Sequence, residues 1–221
     1  MEKYRIIELK EGIFERNNRE AKRLREKLNS EGTFLLNLMS SQGAGKTTLL
    51  RKTIAALKDG MRIAVMEADI DSDVDAAAIA ETGVDVIQLH TGGMCHLDAD
   101  MTRQGIEALA AKDADLIILE NVGNLVCPAE FDTGATKSAM ILSVPEGDDK
   151  PLKYPLMFEI SNELIIGKID TIPYFDFDIE LCKARAKKLN PNIEIFCVSA
   201  KTGEGMAAWT GWLKSEVLKI K

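Results

Sequence analysis

The chain has 221 residues, a net charge of −7, and 46% hydrophobic and 29% charged residues, the balance of an ordinary globular domain with a full core. Its negative charge argues against nucleic-acid binding, which depends on clustered Lys and Arg at the phosphates. No apolar run approaches ~20 residues, the N-terminus has no signal-peptide pattern, and the four cysteines are scattered, so the sequence predicts a cytoplasmic protein with no membrane partner and no disulfide framework.

Residues 1–31 are rich in charge, and Phe14, Ala21, Leu24 and Leu28 fall along one helical face. They predict an amphipathic helix packed on the side of the domain that follows, with a partner-binding helix as the alternative. Phe34–Met39 reads as a strand, and Leu49–Leu57 has helical spacing. Between them stands Ser40-Ser41-Gln42-Gly43-Ala44-Gly45-Lys46-Thr47-Thr48, the glycine-rich turn and helix start of a phosphate-binding loop. Backbone N–H groups from Gln42, Gly43, Ala44, Gly45, Lys46, Thr47 and Thr48 are expected to converge on phosphate oxygens, aided by the helix dipole. Lys46 adds a charge at the β/γ-phosphates, and the Thr47 hydroxyl is a Mg²⁺ ligand. Ser40 stands where the pattern G-x-x-x-x-G-K-[ST] has its first glycine. Serine resists backbone conformations that glycine tolerates, so a weaker grip on phosphate is expected.

Strand-like segments then alternate with helical patterns. The strands are Arg62–Met66, Val84–Leu89, Leu116–Glu120, Ala139–Val144, Glu163–Ile166 and Glu194–Val198; the helices are Asp75–Glu81, Ala99–Ala111, Pro155–Ser161, Phe177–Leu189 and Met206–Leu218. The alternation predicts one α/β domain, a mainly parallel sheet with helices on both faces, with ligands at the carboxyl ends of the strands.

Those strand ends carry the chemistry. Glu67-Ala68-Asp69-Ile70-Asp71-Ser72-Asp73-Val74-Asp75 has five acids in nine residues beside a polyphosphate site, a conflict that Mg²⁺ resolves. Asp69 and Asp75 are the expected participants, with the other acids read as a solvated loop. Glu120 closes an apolar strand where a further Mg²⁺ carboxylate is expected, and Gly123 can give its N–H to a γ-phosphate. In Gly167-Lys168-Ile169-Asp170, Asp170 can accept the N1 and N2 hydrogens of guanine while the Lys168 stem covers the ring. Ser199-Ala200-Lys201 resembles the loop whose Ala N–H meets the guanine O6. GTP is therefore the expected nucleotide, although Gly167 replaces the Asn of the usual Asn-Lys-x-Asp. Lys46, Thr47, Glu120 and Gly123 are the expected catalytic set, and residues 32–221 the GTP-binding domain.

A second constellation joins Cys95-His96, in a glycine-rich loop, to Cys127-Pro128. Both loops follow core strands at the same sheet edge, and two thiols with an imidazole suit Zn²⁺ or Ni²⁺. His90, Cys182 and Cys197 read as structural.

Taken together, Ser40–Thr48, Asp69 through Asp75-Ala76, Met94–Asp98, Glu120–Asp132, Glu146–Lys150 and Lys168-Ile169-Asp170 resemble the hydrogenase nickel-incorporation (HypB) family, of the dimer-activated phosphate-loop NTPase class. The resemblance runs from about residue 10 to nearly the end of the chain. It implies a GTP-favoured homodimer with low intrinsic turnover that hydrolyses GTP during nickel delivery to [NiFe]-hydrogenase, alongside other hydrogenase maturation factors and the hydrogenase precursor. It also implies Cys95, His96 and Cys127 as Ni²⁺ or Zn²⁺ ligands, and Thr47, Asp75 and Glu120 as Mg²⁺ ligands. Ser40, Gly167 and Ala78, where the family often carries Arg, depart from its pattern. The alternatives are a metal-storage or metal-sensing protein whose nucleotide only sets oligomeric state, a small-molecule kinase, and the related urease-maturation GTPases. The last are expected to carry Cys-Pro-His rather than Met-Cys-His.

Overall fold

The computed structural model describes residues 9–69, 74–110 and 113–221, and the side chains of residues 9–11 lie outside that description. The early apolar stripe forms α1 (Leu9–Ser30), with Ala21, Leu24 and Leu28 buried and Phe14 half-buried. β1 (Phe34–Ser40) is buried along its length and leads through the glycine-rich loop into α2 (Lys46–Leu57). Then come β2 (Ile63–Asp69), α3 (Val74–Ala80), β3 (Asp85–His90), α4 (Ala99–Ala108), β4 (Leu116–Glu120) and a single turn, α5 (Cys127–Glu130). β5 (Lys137–Ser143), α6 (Lys150–Lys153), α7 (Pro155–Ile160) and β6 (Glu163–Gly167) follow. The described chain closes with α8 (Ile179–Leu189), β7 (Glu194–Cys197) and α9 (Met206–Leu218).

These seven strands make one parallel sheet in the order β3-β2-β4-β1-β5-β6-β7. After β1 the chain adds β2, β3 and β4 on one side, then β5, β6 and β7 on the other. The crevice at the carboxyl end of such a switch is where ligands bind in open α/β sheets. Period-two alternation sends Leu36 and Leu38 of β1 to one face, against Leu50 and Ile54 of α2 and Trp209 and Leu213 of α9. The opposite face buries Leu35 with Leu24 and Leu28 of α1, and Met39 with Phe158 of α7 and Cys182 of α8. Helices therefore cover both faces, as the strand and helix alternation predicts.

Two boundaries differ from the spacing in an informative way. β2 runs on to Asp69 because its pairing with β3 continues to Asp69↔His90, which carries Glu67 into the sheet. α8 starts at Ile179, not Phe177, because the Asp178 carboxylate accepts from the Leu181 N–H at 2.9 Å and caps the helix there.

Candidate functional site

The loop after β1 turns on Gly43 and Gly45, at φ 72° and 98°, and Gly45 is the residue on which α2 begins. Only glycine takes such angles without strain. The result leaves the first N–H groups of α2 without intrahelical partners at the mouth of the crevice. Lys46 Nζ donates to Ser40 Oγ at 3.0 Å and lies 3.5 Å from the Ser41 carbonyl. Ser40 is fully buried, has no positive φ, and donates its own proton to the Ser41 carbonyl at 2.6 Å. The backbone penalty expected for serine at this position is therefore absent, because Ser40 ends an extended strand; the hydroxyl instead acts as a resting partner for Lys46.

Parallel register places Glu67 of β2 directly beside Glu120 of β4. Asp75, in the first turn of α3, completes a group whose carboxylate oxygens lie within 4.8 Å of one another. Thr47 Oγ1 donates to Glu120 Oε1 at 3.2 Å. Glu67 is only 3% exposed, which corrects its reading as part of a solvated loop: β2 extends far enough to bury it. Asp69 lines the same cavity but stands outside the three-carboxylate group, and Asp71 and Asp73 lie outside the described residues. Burial, then the Glu120 and Asp75 charges, pushes Glu67 up to about 9. Burial pushes Glu120 up to about 7 against the pull of Lys46. Glu67 Oε2 and Glu120 Oε2 are buried without a hydrogen-bond partner. Orphaned carboxylate oxygens facing a third carboxylate and a threonine hydroxyl form an all-oxygen donor set for a hard divalent cation, and Mg²⁺ fits it.

The turn after β4 closes over the phosphate loop. A Cβ on Gly123 would sit 2.7 Å from Gln42 Cγ and 3.2 Å from Gln42 N, so only glycine permits this approach. On the far side of the loop, Lys168 Nζ donates to the Gly43 carbonyl at 2.7 Å and lays its stem across the loop. Ser199 Oγ donates to Asp170 Oδ1 at 2.6 Å and orients that carboxylate. Asp170, Ala200 and Lys201 share the lining of a cavity of about 290 Å³ with Ala44, Leu49 and Gly167. A Cβ on Gly167 would meet nothing closer than Ile141 Cγ2 at 3.5 Å, so the wall is open where an Asn side chain would stand.

Cys95 and His96 follow β3, with Sγ and Nδ1 3.9 Å apart. Cys127 stands at the first position of α5, and a hydrogen bond with Cys95 pushes its thiol above the ordinary value. The structure thus brings Cys127 to Cys95. The His96 ring is turned onto Phe131, centroids 3.8 Å apart and planes 14° from parallel. Among the described residues only Glu67, Asp75 and Glu120 form a group of three with all donor atoms within 4.8 Å, so the two thiols and the imidazole are neighbours that have not closed to that degree. Exposed Met94 and Val126 flank this site.

Residues 34–197 match the family model described as CobW/HypB/UreG, nucleotide-binding domain. The chain is 45% identical over 216 residues to the hydrogenase maturation factor HypB of Escherichia coli K12, covering 98% of this chain and 74% of that protein. This chain belongs to the HypB family. Two solved HypB structures share the fold: that of Helicobacter pylori, crystallised in complex with nickel, with TM-score 0.86, 38% identity and coverage of 92% of this chain and 96% of that one; and that of Archaeoglobus fulgidus, with TM-score 0.85, 35% identity and coverage of 91% and 98%.

For this HypB-family chain the sequence points to each loop but not to three of the side chains that shape them. Glu67 was hidden because its burial depends on strand register. Asn17 and Phe131 act across long sequence separations, joining α1 to the loops around Cys95 and Cys127. The aromatic at position 131, four residues beyond a candidate ligand, was the one available signal.

Proposed function

We propose that this chain is a GTP-hydrolysing metallochaperone that couples its nucleotide cycle to holding and releasing nickel during [NiFe]-hydrogenase maturation. The observation that carries this reading is the segment from Glu120 to Cys127. It begins at the buried carboxylate Glu120, packs Gly123 against Gln42 of the phosphate loop, and ends at a thiol beside Cys95. A nucleotide that rearranges this turn acts on Cys127 through a handful of covalently linked residues.

In the resting site Lys46 is held by Ser40, and a β/γ-phosphate draws it across the mouth of α2. Gly123 supplies an N–H beside the γ-phosphate. Asp170, fixed by Ser199, accepts the guanine N1 and N2 hydrogens, and the Lys168 stem covers the base. Thr47, Asp75, Glu120 and Glu67 would hold Mg²⁺, which when bound neutralises the crowded carboxylates and the developing phosphate charge. No Arg or Gln among the expected catalytic residues serves the attacking water, consistent with slow basal turnover.

The cargo is bound by Cys95, His96 and Cys127, a thiolate and imidazole set suited to Ni²⁺ or Zn²⁺. The nickel complex of the Helicobacter pylori relative supports nickel as cargo. The exposed apolar Met94 and Val126 beside the ligands support a homodimer meeting at this edge when GTP is bound, with other maturation factors and the hydrogenase precursor as further partners. The test is phosphate release from GTP and ATP, together with mass measurement with and without a nonhydrolysable GTP analogue. Mg²⁺-dependent GTP turnover with a GTP-favoured dimer is expected; tight GTP binding without sustained phosphate release would instead identify a storage or sensing protein.

A further inference from the structure

We propose that Phe131, backed by Phe14 and Asn17 of α1, is a positioning residue for the thiol and imidazole site, fixing the plane of the His96 ring and tying the Cys95-His96 loop to the Cys127 loop. The inference rests on the metal-site reading above and deepens it.

A histidine side chain has two free torsions, and ordering them costs metal affinity. A face-to-face aromatic contact removes that freedom without using either ring nitrogen. His96 has such a contact in Phe131, at 3.8 Å and 14°. Phe131 directly follows α5, so its ring and the Cys127 thiol belong to one short segment. The stack therefore joins two loops that are distant in sequence, each carrying ligands. The Phe14 ring of α1 also packs on Phe131, with centroids 5.0 Å apart and planes at 44°.

A second tie runs in parallel. Asn17 is buried, its Nδ2 donates to the Asp132 carbonyl at 2.9 Å, and its Oδ1 accepts from the Ala99 N–H at 2.9 Å. Asp132 follows Phe131, and Ala99 lies three residues after His96, so one amide pins both ligand loops. Arg25 adds bonds of 2.6 Å to the Asp132 carboxylate and 2.6 Å to the Ala135 carbonyl. α1 is thus the shared wall against which the metal site is assembled. Partners that orient ligands without touching the metal typically change affinity by about 10–100-fold.

The experiment titrates the full chain with Zn²⁺ alone and with Ni²⁺ alone, in competition with a chromophoric chelator. It compares wild type, Phe131→Leu, Phe131→Tyr and His96→Ala. Leucine keeps an apolar side chain and removes the stack; tyrosine keeps both. We expect Phe131→Leu to bind either metal about tenfold more weakly or worse, with an altered thiolate-to-nickel charge-transfer band, and Phe131→Tyr to stay within about twofold of wild type. In the metal-free protein, the upfield ring-current shift of the His96 ring protons should vanish in Phe131→Leu and persist in Phe131→Tyr. If His96→Ala binds as well as wild type, the metal-site reading itself fails. If His96→Ala is weakened while Phe131→Leu matches or exceeds wild type, the site stands and the positioning role is overturned, since the stack would then compete with the metal.

Discussion

Under the proposed function, Lys46 and Asp170 divide the work of nucleotide recognition between phosphate and base. The Lys46 ammonium bonds Ser40 and Ser41 and acts on the Glu67 and Glu120 carboxylates, so Lys46→Ala removes chiefly a charge from the proposed phosphate site. Phosphate release from GTP should fall by about 10²-fold or more, with the thermal midpoint nearly unchanged. Normal hydrolysis by the folded variant would remove the phosphate-loop assignment. Asp170 accepts a hydrogen bond from Ser199, and in the proposed reading it accepts two hydrogens from guanine. An amide offers one acceptor oxygen and turns the other position into a donor. Asp170→Asn should therefore weaken GTP far more than ATP in fluorescence competition, by about tenfold or more. Equal loss for both nucleotides would mean that Asp170 does not read the base.

Among the elements, α1 separates what the sequence discloses from what only the fold does. Its stripe of Ala21, Leu24 and Leu28 is legible as helical spacing, and all three are buried against the core. Leu24→Ala should lower unfolding free energy by about 2–5 kcal/mol, measured by urea denaturation. An effect under about 0.5 kcal/mol would make α1 a loosely attached, partner-binding helix. The glycine-rich loop, the strand end at Glu120 and the Lys168–Asp170 and Ser199–Lys201 loops are equally legible as positions at the sheet edge, because each is a contiguous run after an apolar strand. Glu67 is not, since its burial depends on how far β2 pairs with β3 and β4. The Phe131 stack and the Asn17 bridge are invisible for the same reason: each is created by packing between residues far apart in the chain. At Ser40 the motif departure carries no backbone strain, because the residue ends an extended strand.

Across the whole molecule, buried carboxylates give stability a pH dependence, and one short segment runs from the carboxylate Glu120 to Cys127. Glu163 opens β6 fully buried, and burial pushes it up to about 8 despite Lys137 at 3.4 Å. A carboxyl raised in the folded state favours folding while protonated. Its contribution is complete below the ordinary value of 4.5 and is lost as pH rises toward about 8. Glu163→Gln should flatten that fall, so its thermal midpoint should drop less than that of wild type between about pH 5 and 8. Parallel curves for the two proteins would exclude Glu163 as the source. In the proposed function, nucleotide state and metal affinity are linked through Glu120, Gly123 and Cys127, and linkage makes any such effect reciprocal. Its most direct test is the Ni²⁺ affinity of the wild-type chain loaded with GDP and with a nonhydrolysable GTP analogue, with Cys127→Ser alongside. The affinities should differ by about 5–150-fold between the two states, and Cys127→Ser should bind more weakly in both; equal affinities in the two nucleotide states, or undiminished binding by Cys127→Ser, would contradict a GTP-gated transfer of metal.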